Sequence, residues 1–179
     1  MRKEEHVILV DENDNEIGTM EKMEAHRKGK LHRAFSIFVF NSKGELMMQK
    51  RAKMKYHSGG LLTNTCCSHP RVGESIQKAA HRRLMEEMGF DCELKSIFSF
   101  TYYSELDNGF IENEYDHVLF GIFDAGPNIN KEEVESFHFI SIEDLIKDIN
   151  THPEFYKEWL KICLPGVKKH YSQFGEGEG

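Results

Sequence analysis

The sequence predicts an α/β (α+β) sandwich in a single domain, and three observations predict it. Strand-like apolar runs, one amphipathic helix, more strands and two closing helical segments follow one another along the chain. Neither an internal repeat nor a long linker interrupts that order. The 179 residues, 39% hydrophobic and 30% charged, have the balance of a globular chain able to bury one core.

Residues 6–10 read as a short strand, followed by a turn at Asp14-Asn15. Residues 20–28 have helical composition and stop near Gly29. The apolar run 34–40, rich in Phe, Ile and Val, predicts a strand buried on both faces. Asn41-Ser42-Lys43-Gly44 is a turn, and 45–50 returns as its hairpin partner. Residues 56–73 are irregular, with paired glycines, Thr-Asn-Thr, two cysteines and Ser-His-Pro. A polar, glycine-rich stretch of that length is uncommon in a compact domain unless it has a function. Residues 74–88 are the clearest helix: Ile76, Ala80, Leu84 and Met88 recur every four residues and Gly89 provides the stop. Residues 94–103 and 111–123 predict two strands joined through Asp107-Asn108-Gly109, and 137–141 a further strand. Ser141 with Asp144 marks a capped helix start running to about residue 149. Residues 154–170 predict a last helix broken at Pro165-Gly166, closing a domain of residues 1–174, and 175–179 a disordered tail.

Net charge is −7 with no long basic run, which argues against nucleic acid as the main partner. A phosphorylated ligand would then need a local cationic site or a bound metal. No apolar run approaches the roughly 20 residues that span a bilayer, and residues 1–5 lack the apolar core of a signal peptide. The expected location is the cytoplasm. Cys66 and Cys67 are adjacent, and Cys92 and Cys163 sit among apolar residues, which disfavours a disulfide framework and fits a reducing compartment.

Several constellations could carry chemistry, and each has a plainer reading. His26, His32 and His69 could ligate a divalent metal if the fold gathers them. In a chain with ten histidines they could equally be scattered surface residues. On a strand, Glu112, Glu114 and Asp116 point the same way, which suits either a solvated face or a bound cation. Cys67, in a polar loop, could act as an acid or base near neutral pH, or be inert; composition alone does not separate it from Cys66. Arg82 with Glu86 and Arg83 with Glu87 form i,i+4 pairs, which could be surface ladders or, at Glu87 and Arg83, a Mg²⁺ ligand and a phosphate grip. The basic cluster 50–55, with Arg51 and Lys55, could be the cationic site the net charge calls for, or a solvated loop. Tyr102 and the sole tryptophan, Trp159, could be core; an indole face can also stabilise a carbocation.

Order and spacing together are far more specific than any one of these signals. The blocks Leu31-His32-Arg33-Ala34-Phe35-Ser36, Thr63-Asn64-Thr65-Cys66-Cys67-Ser68-His69-Pro70, Gly73-Glu74-Ser75 and Ile111-Glu112-Asn113-Glu114-Tyr115 resemble those of the type I isopentenyl-diphosphate isomerases, over residues 6–171. The resemblance implies the Nudix fold, a mixed sheet sandwiched by helices. The Nudix box, G-x5-E-x7-R-E-U-x-E-E-x-G-U with U a bulky apolar residue, anchors on Glu86-Glu87-Met88-Gly89-Phe90 and gives Glu74 and Arg82 in place. Two positions depart from it: Ser68 stands for the first glycine and Arg83 for the glutamate after Arg82. The second departure trades a carboxylate expected of pyrophosphohydrolases for a cation suited to phosphate. Residues 58–62 also depart from the family, which commonly carries bulky aromatics and proline there.

Carried over by position, the resemblance implies one divalent metal (Mn²⁺, Zn²⁺ or Mg²⁺) held by His26, His32, His69, Glu112 and Glu114. Nitrogen ligands disfavour Mg²⁺ at that site. Glu87 would hold a separate Mg²⁺ bridging to a small-molecule diphosphate contacted by Arg51, Lys55 and Arg83. Cys67 and Glu114 would be the proton-transfer pair, in either order, with Tyr102 supporting Glu114 and Trp159 facing the hydrocarbon. Competing with isomerisation are hydrolysis of a nucleoside diphosphate derivative and a non-enzymatic, metal-stabilised binding domain.

Overall fold

The computed structural model describes residues 5–55 and 59–176. Ser58, where the chain begins to depart from the family, lies outside them, as do residues 177–179 of the expected tail. Among the described residues, nine strands, β1 (His6–Val10), β2 (Glu16–Glu21), β3 (His32–Phe40), β4 (Glu45–Arg51), β5 (Leu62–Thr63), β6 (Cys66–Ser68), β7 (Lys95–Glu105), β8 (Ile111–Ile122) and β9 (Val134–Ser141), form one sheet. The helices are α1 (Lys22–Lys28), α2 (Ile76–Met88), α3 (Ile142–Thr151) and α4 (Glu158–Glu176), with a 3-10 turn at Pro153–Phe155.

β3 is the centre of the sheet. It runs parallel to β8 from His32↔Glu114 to Phe40↔Ile122, antiparallel to β6 through Ser36↔Cys67, and touches β1 through Leu9↔His32. β7 and β8 form a long antiparallel pair, and β4 pairs with β9. The expected hairpin 34–50 forms at its turn, but the registered β3–β4 pairing is Phe40↔Leu46, after which β4 turns to β9. Because side chains alternate, β3 feeds two cores. Phe38 and Phe40 pack with Val118, Phe120, Leu160 and Leu164 under α3 and α4. Phe35, Ile37 and Val39 pack with Ala80, Leu84 and Met88 of α2 on the other face.

The amphipathic helix expected at 74–88 is α2, started by Ser75, whose Oγ accepts from the Lys78 N–H at 3.2 Å. Gly89 ends it at φ +69°, and a Cβ there would lie 2.1 Å from the Asn128 carbonyl, so both conformation and space demand glycine. Three expectations need correction. Residues 20–21 belong to strand β2, which pairs with β1 and leaves α1 only seven residues. The irregular stretch contains β5 and β6, so Cys67 sits on a short strand rather than in a polar loop. Finally, α4 runs through Pro165 without a break. Its buried face, Leu160, Cys163, Leu164 and Val167, anchors both sides of the proline, and Gly166 lets the Phe98 ring approach to 3.1 Å of where a Cβ would stand.

Candidate active site

Adjacent residues on a strand face opposite ways, and β6 uses this to separate the two neighbouring thiols. Cys66 is fully buried in the core under α2. Cys67 points to the other face, where it packs against the cluster containing Tyr102 and Trp159. Its Sγ donates to Asn64 Oδ1 at 2.9 Å and lies 3.5 Å from Ser36 Oγ. Burial pushes the Cys67 thiol up to about 12 against the pull of the Lys157 ammonium, so it keeps its proton at neutral pH.

The histidines converge from three elements. His26 comes from α1, His32 opens β3 and His69 follows β6. With Glu114 of β8 they place one ligand atom each within 4.8 Å of one another. His69 Nε2 lies 3.2 Å from both His32 Nε2 and Glu114 Oε1, and His32 Nε2 lies 3.6 Å from the same oxygen. Nδ1 of His26 meets the Lys22 carbonyl at 2.7 Å, and Nδ1 of His32 meets the Lys30 carbonyl at 2.8 Å. A ring that donates from Nδ1 to a carbonyl turns the Nε2 lone pair inward, which is how metal-binding imidazoles are held. The donor set of three imidazoles and a carboxylate therefore fits a divalent ion. Burial works to raise the Glu114 carboxyl, but hydrogen bonds from His32 and His69 hold it well below the usual carboxylate range. Burial lowers His69 to about 4. His32 is also opposed by burial, yet its bond to Glu114 raises it above its ordinary value.

Glu112, expected as a fifth ligand, is outside that group of four. Its carboxyl is contacted by the Tyr102 hydroxyl and lies 3.4 Å from Lys157 Nζ. Tyr102 is the direct cross-strand neighbour of Glu114, but its hydroxyl reaches past to Glu112 rather than supporting Glu114. The third acid of the row, Asp116, is buried and accepts from Ser36 Oγ at 2.7 Å and from Trp159 Nε1 at 2.9 Å.

A second polar cluster lies where α2 meets the end of β4. Arg83 contacts Glu87 and donates to Glu133 Oε1 at 2.8 Å; Lys55 Nζ lies 3.4 Å from that same oxygen. Glu87 is buried and also accepts from Gln49 Nε2 at 3.2 Å. Burial lowers the Lys55 ammonium, and the nearby Arg51 charge lowers it further. Arg82 instead forks onto Glu74 with two bonds of 2.8 Å, which binds the loop ahead of α2 to the helix. Four further residues build the site, and composition marks none of them: Ser36 and Asn64 fall within the isomerase-like blocks, whereas Lys157 and Glu133 have no sequence signal.

The NUDIX domain family matches residues 30–161. The chain is 54% identical over 164 residues to isopentenyl-diphosphate Delta-isomerase 2 of Photorhabdus laumondii, covering 92% of this chain and 93% of that one. It is 52% identical over 174 residues to the protein of that name from Aromatoleum aromaticum, covering 97% and 92%. The chain belongs to the isopentenyl-diphosphate Delta-isomerase family. Among solved structures, this isomerase-family chain superimposes on a Deinococcus radiodurans protein with a TM-score of 0.77 at 22% identity, covering 90% of this chain and 98% of the other. It superimposes on a MutT protein of Methanosarcina mazei with a TM-score of 0.61 at 13% identity, covering 83% and 95%. Those likenesses show the shared fold. Among the described residues of this isomerase-family member, no helix is long and apolar enough to cross a membrane.

Proposed function

We propose that the chain interconverts isopentenyl diphosphate and dimethylallyl diphosphate, adding a proton at one carbon and removing another two carbons away. The observation that carries this reading is that a thiol and a carboxyl from different strands share one sheet face with the sole indole. Cys67 is registered with Ser36, and Glu114 with His32, on the same side of β3. An unactivated alkene is a poor base, so its protonation creates a high-energy, tertiary cation-like species. Two opposed groups can shuttle protons across it without large rearrangement. The Trp159 ring face stabilises the positive charge by about 2 kcal/mol when water is excluded. Exclusion matters because water would capture the cation as an alcohol.

The diphosphate is an anchor whose binding energy holds a small hydrocarbon in register. Arg51, Lys55 and Arg83 grip it, and the buried carboxyl of Glu87 beside them would hold Mg²⁺. His26, His32, His69 and Glu114 would hold a second divalent ion, with Glu112 bearing on the site through Tyr102 and Lys157. A divalent cation there would supply positive charge beside the buried carboxyl of Glu114. The cytoplasm, reducing enough to keep Cys67 a thiol, is the proposed location, and the four free cysteines support it.

The direct test supplies isopentenyl diphosphate with Mg²⁺ and Mn²⁺ and follows dimethylallyl diphosphate by ³¹P and ¹H NMR. Conversion at an enzyme-like rate is expected. Phosphate or nucleoside monophosphate release from a nucleotide panel at comparable rates would defeat the isomerase reading.

Metal uptake should also be proton-linked. The His32 proton is held above its ordinary pKa by Glu114 in the metal-free protein, whereas ligation needs a neutral imidazole. His69 is already neutral above about 4 and has no proton to give. Metal binding near pH 6.5 should therefore release a proton, and affinity should rise with pH until His32 is neutral unaided. Calorimetry in two buffers of different ionisation heat measures this; identical heats in both would contradict it.

A further inference from the structure

Three carboxyls alternate down one face of β8, and their partners differ in kind. Glu114 lies among histidines, and Glu112 takes Lys157 and Tyr102. The partners of Asp116 are two neutral donors, the Ser36 hydroxyl at 2.7 Å and the Trp159 indole N–H at 2.9 Å, and both bind the same oxygen, Oδ2. Oδ1 is buried without a hydrogen-bond partner, in a residue only 1% exposed. A carboxyl sunk this way is costly, and tying a helix to a sheet does not require one. What distinguishes the bond is what it ties together. Trp159 is the indole of the proposed site, and Ser36 lies 3.5 Å from the Cys67 sulfur. One oxygen thus joins the ring and, through a hydroxyl, the thiol.

We propose that Asp116 is a positioning residue for the double-bond shift, fixing the Trp159 ring and the Cys67 thiol relative to each other through Oδ2 and Ser36. The inference rests on the isomerase reading. The ring is held at its N–H edge by Asp116 rather than through a polar contact on its face. The thiol donates to Asn64 Oδ1 at 2.9 Å and rests against the Ser36 oxygen at 3.5 Å, so the hydroxyl that Asp116 orients bounds its position. Lys55 and Arg83 of the diphosphate grip bond instead to Glu133, and Arg83 also to Glu87, residues outside this chain of contacts. Disturbing Asp116 should therefore slow the chemical step and leave substrate affinity nearly intact.

Trp159 is the chain's one tryptophan, so indole emission reports this single ring. Asp116→Ala should lower kcat by about tenfold or more, since misplacement of about 1 Å can cost a hundredfold. KM should stay within about threefold, metal content should match wild type, and the emission maximum should shift. Asp116→Asn keeps an acceptor oxygen in the same space and should recover most of both kcat and emission. Wild-type kcat and emission in Asp116→Ala would overturn the proposal. So would metal loss in step with rate in both variants, which would make Asp116 a support for Glu114 instead. Should Asp116→Ala not fold, Ser36→Ala decides: a several-fold kcat loss at unchanged KM supports the proposal and wild-type kcat overturns it. No conversion by wild type is a separate failure, of the isomerase reading; the emission comparison would still show whether Asp116 orients the ring.

Discussion

Cys67→Ala is expected to cost on the order of 10²–10⁴-fold in kcat, the usual worth of a positioned acid or base, at unchanged folding. Its neighbour supplies the control. Cys66→Ala removes a sulfur from the core under α2, on the far side of the sheet, and should leave the rate within a few-fold while costing about 1 kcal/mol of stability. Rates measured alongside urea midpoints separate the two effects. Equal rate losses in the two variants would mean that the thiol face is not the reacting face. The contrast is sharp because the residues differ by one position and by nothing in chemistry.

Glu114→Gln should be more damaging, since one carboxyl is asked both to move a proton and to bind metal. Glutamine keeps the shape and loses the charge. A loss of about 10³-fold or more in kcat is expected, together with weaker metal binding by at least 10–100-fold. Burial opposes the ionised form of Glu114, and His32 and His69 restore it. Without the carboxylate, the donor set would keep its imidazoles, two of them 3.2 Å apart, and lose its one anionic member. Elemental analysis after dialysis, paired with the isomerase assay, checks both halves. Full metal retention with full activity would remove Glu114 from the mechanism.

Much of this arrangement was legible in the sequence where pattern and packing agree. The four-residue recurrence from Ile76 to Met88 became α2, and the apolar run at 34–40 became the central strand. The alternation Glu112, Glu114, Asp116 correctly put three acids on one face. What escaped was set by partners distant in sequence. β2 and β6 are short and unremarkable in composition, and they exist because β1 and β3 offer them edges. The hydroxyl of Tyr102 reached Glu112 because side-chain length, rather than strand register, chose its partner. Lys157 carries no signal in the sequence, and it is buried just ahead of α4 against Glu112, a partner remote from it in the chain.

β3 carries a consequence beyond its place in the core. His32 and Ser36 sit four residues apart on it, one meeting Glu114 and the other Cys67. A slip of a single position would turn both to the opposite side of the sheet. Gaining or losing one residue between them would therefore strip the ion's seat or the thiol's neighbour outright, whatever amino acid was involved. A substitution on the strand alters one contact, whereas a change in its length moves every side chain beyond it at once.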